Sequence, residues 1–351
     1  MRERQAAIAG AGIIGLATAL ELADAGWHVT LFDQREAMSE ASRSAAGMLA
    51  GNDPEHPPAL HALARLSLEL YPVFLERVEA LSGRKVPLRT SRTALGALHP
   101  PPGTVPLPAA ALQLLAPKIN PGGLEFFQLE ETSFDAWDLA EALPSAARAA
   151  GILLREHTPV LQVRSEASAV QVETPQGSIS AAVFLNAAGA WAPALDPSLP
   201  VFPRKGHMLT VELPGAVQTE CVLRTGVIYI VPRGLNRYTI GSTVEDAGFD
   251  RTVNPDRIQG LFQKAVSLWP PLREATIVES WVGFRPASRD GLPILDTTAP
   301  NRWVATGHFR NGILLGPATG RVLAQCMSGR APEIDLSPFR ASRFATTPLR
   351  S

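Results

Sequence analysis

Two short apolar runs, at 5–9 and 29–32, flank a cluster of small residues at 10–15 and a longer apolar stretch over 13–25. Short runs bounded by glycine read as buried strands, and the longer stretch reads as a helix stopped by Gly26. Strand, tight turn, helix, strand is the unit that builds a parallel sheet. A helical repeat follows over 57–81, with Leu63, Leu66, Leu70, Phe74, Val78 and Leu81 on one face, and Pro72 predicts a kink or a division in it. Residues 84–136 are proline-rich, with turn signals at Pro100-Pro-Pro102 and Pro121-Gly-Gly123, and read as short strands and loops. Asp138 is expected to cap a helix that runs to Ala150 and stops at Gly151. Strands are expected at 152–155, 160–163, 170–174 and 183–186, then at 208–211, 227–231 and 238–241, with a helix at 255–268. A strand at 302–306, a glycine-rich segment at 307–316 and a helix at 318–327 close the pattern. The alternation of the first thirty residues thus returns near the end. It predicts one α/β domain assembled from 1–83, 136–200 and 281–345, with an inserted antiparallel β-rich domain at 84–135 and 201–280.

Composition narrows the function classes. With 351 residues, 46% of them hydrophobic, the chain can bury a full core, and Lys+Arg 32 against Asp+Glu 33 leaves a net charge of −1. That balance gives no footprint for nucleic acid. Cys221 and Cys326 are far apart and form no paired motif, so neither a disulfide framework nor a metal knuckle is expected, and a cytoplasmic setting fits. The basic start and the apolar residues 6–20 also match a secretory signal, although the run is too short for a membrane span. No metal site is expected.

The glycines at 10, 12 and 15 favour a different reading of that segment. Gly10 permits the tight turn, Gly12 lets a pyrophosphate approach the backbone, and Gly15 lets the helix pack closely on the strand. The helix start offers free N–H groups and a positive dipole end to phosphates. Asp33 ends the second strand, where a carboxylate accepts both hydroxyl hydrogens of an adenosine ribose. An acid there disfavours a 2′-phosphate, so NADP is set aside while NAD and FAD both remain open.

Further segments carry a family resemblance. Gly10-Ala-Gly-Ile-Ile-Gly15, Ser44-Ala-Ala-Gly-Met-Leu49, Asn186-Ala-Ala-Gly-Ala-Trp191, Tyr229-Ile-Val-Pro-Arg233, Gly283-Phe-Arg-Pro286 with Asp290-Gly-Leu-Pro293, and Gly307-His-Phe-Arg-Asn-Gly-Ile-Leu-Leu315 occur in this order. In that combination the chain resembles the D-amino-acid-oxidase-like flavoproteins, and among them the glycine oxidase branch, over almost its whole length. The resemblance implies non-covalent FAD and a Rossmann-type FAD-binding domain beside the β-rich substrate domain. It implies that Gly10, Gly12, Ile13, Ile14 and Gly15 hold the phosphates, and that Asp33 and Gln34 meet the adenosine end. Ala41, Ser42, Ala46, Gly47 and Met48 would line the path to the flavin, and Val160 would touch adenine through its backbone. His308, Phe309, Arg310, Asn311, Gly312, Ile313 and Leu314 would pass beside the isoalloxazine.

For the substrate, the resemblance implies that Arg285 pairs with a carboxylate at two points, that Tyr229 adds a hydroxyl, and that Arg310 lies near the carboxylate or amine. Read alone, Arg285 also suits a surface salt bridge and Tyr229 a strand core. Lys205 suits a surface turn as well as a redox role, and this chemistry does not require His207 as a base. The implied reaction is oxidative deamination of glycine or a related small amine, with molecular oxygen as acceptor and a place in thiamine thiazole synthesis. A homo-oligomer is a further family expectation, and no membrane partner is expected. Some glycine oxidases carry His where this chain has Val227, so an apolar wall is expected to admit sarcosine or D-alanine at least as well as glycine. A dehydrogenase using another acceptor, and an inactive flavin-binding protein, are the alternatives; neither cysteine falls in a segment expected to touch the flavin.

Overall fold

A computed structural model describes residues 4–215 and 217–345. Its helices are α1 (Ile13–Asp24), α2 (His61–Ser82), α3 (Ala109–Leu115), α4 (Ala136–Ala149), α5 (Pro255–Leu268) and α6 (Gly312–Met327). A six-stranded sheet runs in the order Ile294–Ala299, Arg302–Thr306, Val183–Asn186, Gln5–Ala9, His28–Phe32, Leu153–Arg155. All its pairings are parallel except that of the first strand, which is antiparallel at the edge. The strand period of two sorts the side chains. Ala6 and Ile8 join the cluster built with α1, α2, α4 and α6, whereas Ala7 and Ala9 pack against Val163, Val170 and Val172 of a three-stranded antiparallel sheet. Helices therefore cover one face of the sheet and a small sheet covers the other.

Helix α1 is apolar on every side, and Ile13, Leu16, Leu20 and Leu22 are all buried. Burial stabilises each by about 1.5–3 kcal/mol. Its neighbour α6 meets it through two glycines one turn apart. A Cβ on Gly316 would lie 2.8 Å from the Ile13 side chain, and one on Gly320 would lie 2.7 Å from the Ala17 backbone. Gly316 reads as part of a glycine-rich segment before the helix, yet it belongs to α6, which begins at Gly312 and not at 318, whereas Gly320 falls inside the helix as expected. Close packing outweighs the low helix propensity of glycine here.

The second large sheet has seven strands, in the order Thr276–Ser288, Val201–Glu212, Arg237–Gly241, Tyr229–Gly234, Val222–Thr225, Thr93–Ala97, Glu125–Leu129. It is antiparallel except where Val222–Thr225 runs parallel to Thr93–Ala97. Its other face carries the core formed with α3 and α5.

Several expectations are corrected. Pro72 does not divide the element into two; α2 is one helix with Pro72 on its exposed side, and its buried residues Leu63, Tyr71, Phe74 and Val78 hold both halves against the core. The α4 cap is Asp135, which accepts the Trp137 N–H at 2.9 Å, while Asp138 lies in the first turn and binds Arg89 at 2.8 Å. The strand expected at 160–163 is Gln162–Ser165, and that at 227–231 is Tyr229–Gly234. The apolar segment that resembles a secretory signal is folded into the core as strand and helix, with Met1, Arg2 and Glu3 outside the described residues. Among the described residues no helix is long and apolar enough to cross a membrane, and no cluster of side chains could hold a metal ion.

The Gly320 contact predicts that Gly320→Ala lowers the unfolding free energy by about 1–3 kcal/mol, because the methyl must push two backbones apart. Denaturant unfolding checks this, and an unchanged midpoint contradicts the close packing.

Candidate active site

The parallel strands all deliver their C-terminal ends to one place. Ala9, Phe32, Ala187 and Ala305 border a single cavity of about 1150 Å³ between the six-stranded and seven-stranded sheets. Ligands bind at such strand ends because the loops and helix starts that follow them diverge there. The crevice is fixed by backbone bonds: Gly10 N–H donates to Phe32 O at 2.7 Å and Ala187 N–H to Ala9 O at 2.8 Å. Gly10 has φ +103°, and a Cβ on it would lie 2.3 Å from Ala187 O, so only glycine fits this turn.

Of the residues expected to hold a dinucleotide, Gly10, Gly12, Ile13, Ile14, Asp33, Gln34, Ala41, Ser42, Ala46, Gly47, Met48 and Val160 line this cavity. Gly15 does not. It is buried behind the turn, where a Cβ would strike the Gly10 carbonyl at 1.9 Å, so it acts by packing, not by contact with phosphate. Ile13 borders the cavity, but its N–H donates to Ser42 Oγ at 3.0 Å. That bond occupies the amide expected for phosphate and makes Ser42 a brace of the helix start. Asp33 accepts from Ala11 N–H at 2.7 Å and Arg35 N–H at 2.9 Å, one bond per oxygen, which leaves lone pairs facing the cavity. Burial pushes its carboxyl above the usual range, and these N–H bonds pull it back.

On the other side of the cavity, His308, Phe309, Arg310, Asn311, Gly312 and Ile313 form the wall, whereas Leu314 is buried in the helix core and does not reach it. The His308 ring is turned away, with Nε2 3.2 Å from Thr319 Oγ1, and burial pushes its pKa down to about 3, so it is uncharged. Phe309 has φ +48°, uncommon for a bulky side chain, and its N–H donates to Pro286 O at 2.8 Å. This turn brings the start of α6 to the cavity.

The floor follows from strand register. Leu95 pairs with Arg224, Arg224 with Tyr229, Tyr229 with Gly241, and Gly241 with Met208. Directly paired residues share a face, and all five border the cavity. Gly241 clears space for the Tyr229 phenol: a Cβ there would lie 2.4 Å from the hydroxyl, which donates to Met208 Sδ at 3.6 Å. Gly206 does the same for Arg285, since a Cβ would lie 2.3 Å from a guanidinium nitrogen. The guanidinium donates to Ser242 Oγ at 2.7 Å and to Thr243 O at 3.2 Å.

Charge pairing separates the two arginines of this floor. Arg224 is neutralised by Asp53 at 3.1 Å and Glu131 at 3.4 Å. Arg285 has no carboxylate partner among the described residues, although burial penalises its charge, with Tyr229 partly compensating and Arg310 adding to the penalty. A desolvated, uncancelled guanidinium facing a cavity is a receptor for an anion. Arg310 lies at the rim, mostly exposed, 3.6 Å from Glu55.

Lys205 is not in a surface turn. It lies within a strand, buried, and Nζ donates to Asp250 Oδ2 and Thr252 O, both at 2.7 Å. His207 is fully buried; Nε2 accepts the Asn254 N–H at 3.0 Å while Nδ1 faces Glu245 Oε1 at 3.0 Å, so the ring proton sits on Nδ1 and neither nitrogen is free to act as a base. Sequence reading missed Gly206, Gly241, Met208, Ser242 and Thr243, because strand pairing alone brings them beside Arg285 and Tyr229. Both cysteines are free and neither borders the cavity.

Known proteins match this arrangement over nearly the whole chain. A 37% identical relative is the bifunctional protein ThiO/ThiG of Trichormus variabilis, covering 99% of this chain and 56% of the relative, so the chain spans little more than half of that protein. The glycine oxidase of Geobacillus kaustophilus is 34% identical over 96% of each chain. The crystal structure of glycine oxidase from Geobacillus kaustophilus superposes with a TM-score of 0.91 at 31% identity, over 97% of this chain and 99% of that one. The family model described as FAD dependent oxidoreductase matches residues 5–326. The glycine-only turn at the cavity and the acid after the second strand fit that cofactor, and the chain belongs to the FAD-dependent oxidoreductases of the DAO family.

Proposed function

We propose that the protein is a FAD-dependent oxidase that deaminates glycine or a related small amine, and that Arg285 binds the substrate carboxylate. The observation that carries this reading is the desolvated Arg285 guanidinium with no acidic partner among the described residues, beside the Tyr229 hydroxyl. In the same proposal 1–83, 136–200 and 281–345 form the FAD-binding domain, and 84–135 and 201–280 the substrate domain. Gly10, Gly12 and Ile14 then hold the pyrophosphate, Asp33 and Gln34 the ribose end, Val160 the adenine, and residues 41–48 and 308–313 the flavin.

When bound, FAD would supply the acceptor for the hydride that leaves the substrate α-carbon and the route for two electrons to oxygen, giving peroxide. The protein's share is placement. Arg285 offers its two-pronged fork to the carboxylate and Tyr229 a further donor, which fixes the direction of the α-carbon. The apolar Met208 and Leu95 limit water on the floor. No side-chain base is needed, because the amine reacts as the neutral species and its lone pair stabilises the forming imine. Hydrolysis of the imine gives a 2-oxo acid and ammonia, so one amine, one oxygen and one water yield oxo acid, ammonia and peroxide. The place in thiamine thiazole synthesis rests on this reaction.

Val227 lies at the mouth of the cavity and is 65% exposed. With an apolar side chain there, sarcosine and D-alanine are expected to reach kcat/KM values at least equal to that of glycine; a strong preference for glycine alone contradicts this. Anaerobic addition of these amines should bleach the flavin absorbance, and air should restore it with stoichiometric peroxide. Bleaching that returns only with an added electron carrier would make the protein a dehydrogenase. Gly206→Ala crowds the Arg285 fork and should lower kcat/KM by roughly tenfold to a hundredfold, mainly through KM, with the flavin spectrum unchanged. A normal KM in that variant would remove Arg285 from the carboxylate site.

A further inference from the structure

Helix α6 carries a proline in its second turn, Pro317. Proline has no N–H, so the carbonyl four residues earlier, that of Ile313, loses its helical partner. The Tyr71 hydroxyl of α2 donates to that carbonyl. One turn before Tyr71 on the same face of α2, Ser67 Oγ accepts the Ala318 N–H at 3.2 Å. The two groups that the proline disturbs are therefore both met from α2. Ser67 and Tyr71 are buried, and the Tyr71 ring is held against Phe74 and Phe134 at centroid distances of 6.0 and 5.9 Å.

A third contact acts on the same turn. Asn311 occupies the cap position of α6, yet its side chain makes no capping bond. Its Oδ1 lies 3.1 Å from Nε2 of the buried His56 instead. The first-turn amides are left uncapped where Asn311, Gly312 and Ile313 border the cavity.

We propose that Tyr71, Ser67 and His56 are positioning residues that aim the first turn of α6 at the flavin ring and so set how strongly the protein stabilises negative charge there. This rests on the reading that residues 308–313 face the flavin. Pro317 removes one backbone bond between the first turn and the rest of α6, and the α2 side chains that meet the groups beside it fix the direction of that turn. Helix-start amides favour an adjacent anion, and the benefit depends on their direction and falls off within one turn.

Sulfite tests this on the FAD-loaded protein without turnover. It adds reversibly to flavin N5, its electron pair forming the S–N bond and leaving negative charge on the pyrimidine side of the ring. Tyr71→Phe keeps the ring packing and removes the donor. It should raise the sulfite Kd about tenfold and lower the midpoint potential, while the affinity for a simple carboxylate such as glycolate stays within twofold. In Tyr71→Phe with Pro317→Ala, the new amide at 317 can meet the Ile313 carbonyl. Thermal stability should then recover while sulfite affinity stays weak, since the direction of the turn is not restored. Unchanged sulfite affinity and potential in Tyr71→Phe, or recovery of both in step with stability in the double variant, would overturn the proposal. If Tyr71→Phe does not fold, Ser67→Ala is read in its place, with a rise of about threefold expected and no change overturning the idea. Asn311→Asp separates the two layers of the argument. A carboxylate at the helix start should weaken sulfite binding whatever α2 does. No effect from it refutes the reading that this turn faces the flavin, whereas an effect from it without one from Tyr71→Phe or Ser67→Ala refutes the aiming role alone.

Discussion

A part-buried, desolvated guanidinium without a carboxylate among the described residues is the constraint around which the site is arranged. Removing a charge from water costs several kcal/mol unless dipoles or an anion compensate. The Arg285 guanidinium finds partial compensation from Ser242 Oγ and Thr243 O. These neutral groups hold it in position without cancelling its charge. The nearby Arg224, on the same sheet floor, is cancelled by Asp53 and Glu131. Among the described residues two acids neutralise one arginine and none the other, so Arg285 keeps the uncancelled positive charge on the cavity floor.

Glycine creates the room for this arrangement on both sides of the cavity. Gly206 and Gly241 let Arg285 and Tyr229 lie close to the sheet, and Gly10 lets the first turn pass the Ala187 carbonyl. Gly316 and Gly320 bring α6 against α1, so the two helices whose N-termini open on the cavity share one packing interface. The positions of the two helix starts are therefore coupled through a core that tolerates little added volume.

The sequence made the Rossmann-type start legible because its signals are local. The predicted strands 5–9, 170–174, 183–186 and 302–306 and the helix 255–268 coincide with those of the structure. Local signals also misled. Pro72 and Pro317 both lie inside continuous helices, the first on an exposed side and the second with its freed carbonyl met by Tyr71. Lys205 looked like a turn residue, since nothing nearby in sequence announces Asp250 as its partner. The floor of the site was the least legible part, because the row from Leu95 to Met208 exists only through four pairings among five strands. Arg285 and Tyr229 were reached by motif resemblance. Their shared face and the absence of an acid beside Arg285 emerge only in three dimensions.

The most direct measurement is a spectral titration of the FAD-loaded protein with a small non-oxidisable aliphatic carboxylate, comparing the wild type with Arg285→Met. The methionine fills similar apolar space and removes the charge. The account predicts a saturable perturbation of the flavin absorbance in the wild type, with affinity reduced at least a hundredfold in the variant, or roughly 2.7 kcal/mol. Equal affinity in the two proteins would mean that the carboxylate binds elsewhere and that the uncancelled guanidinium is not the anchor of the site.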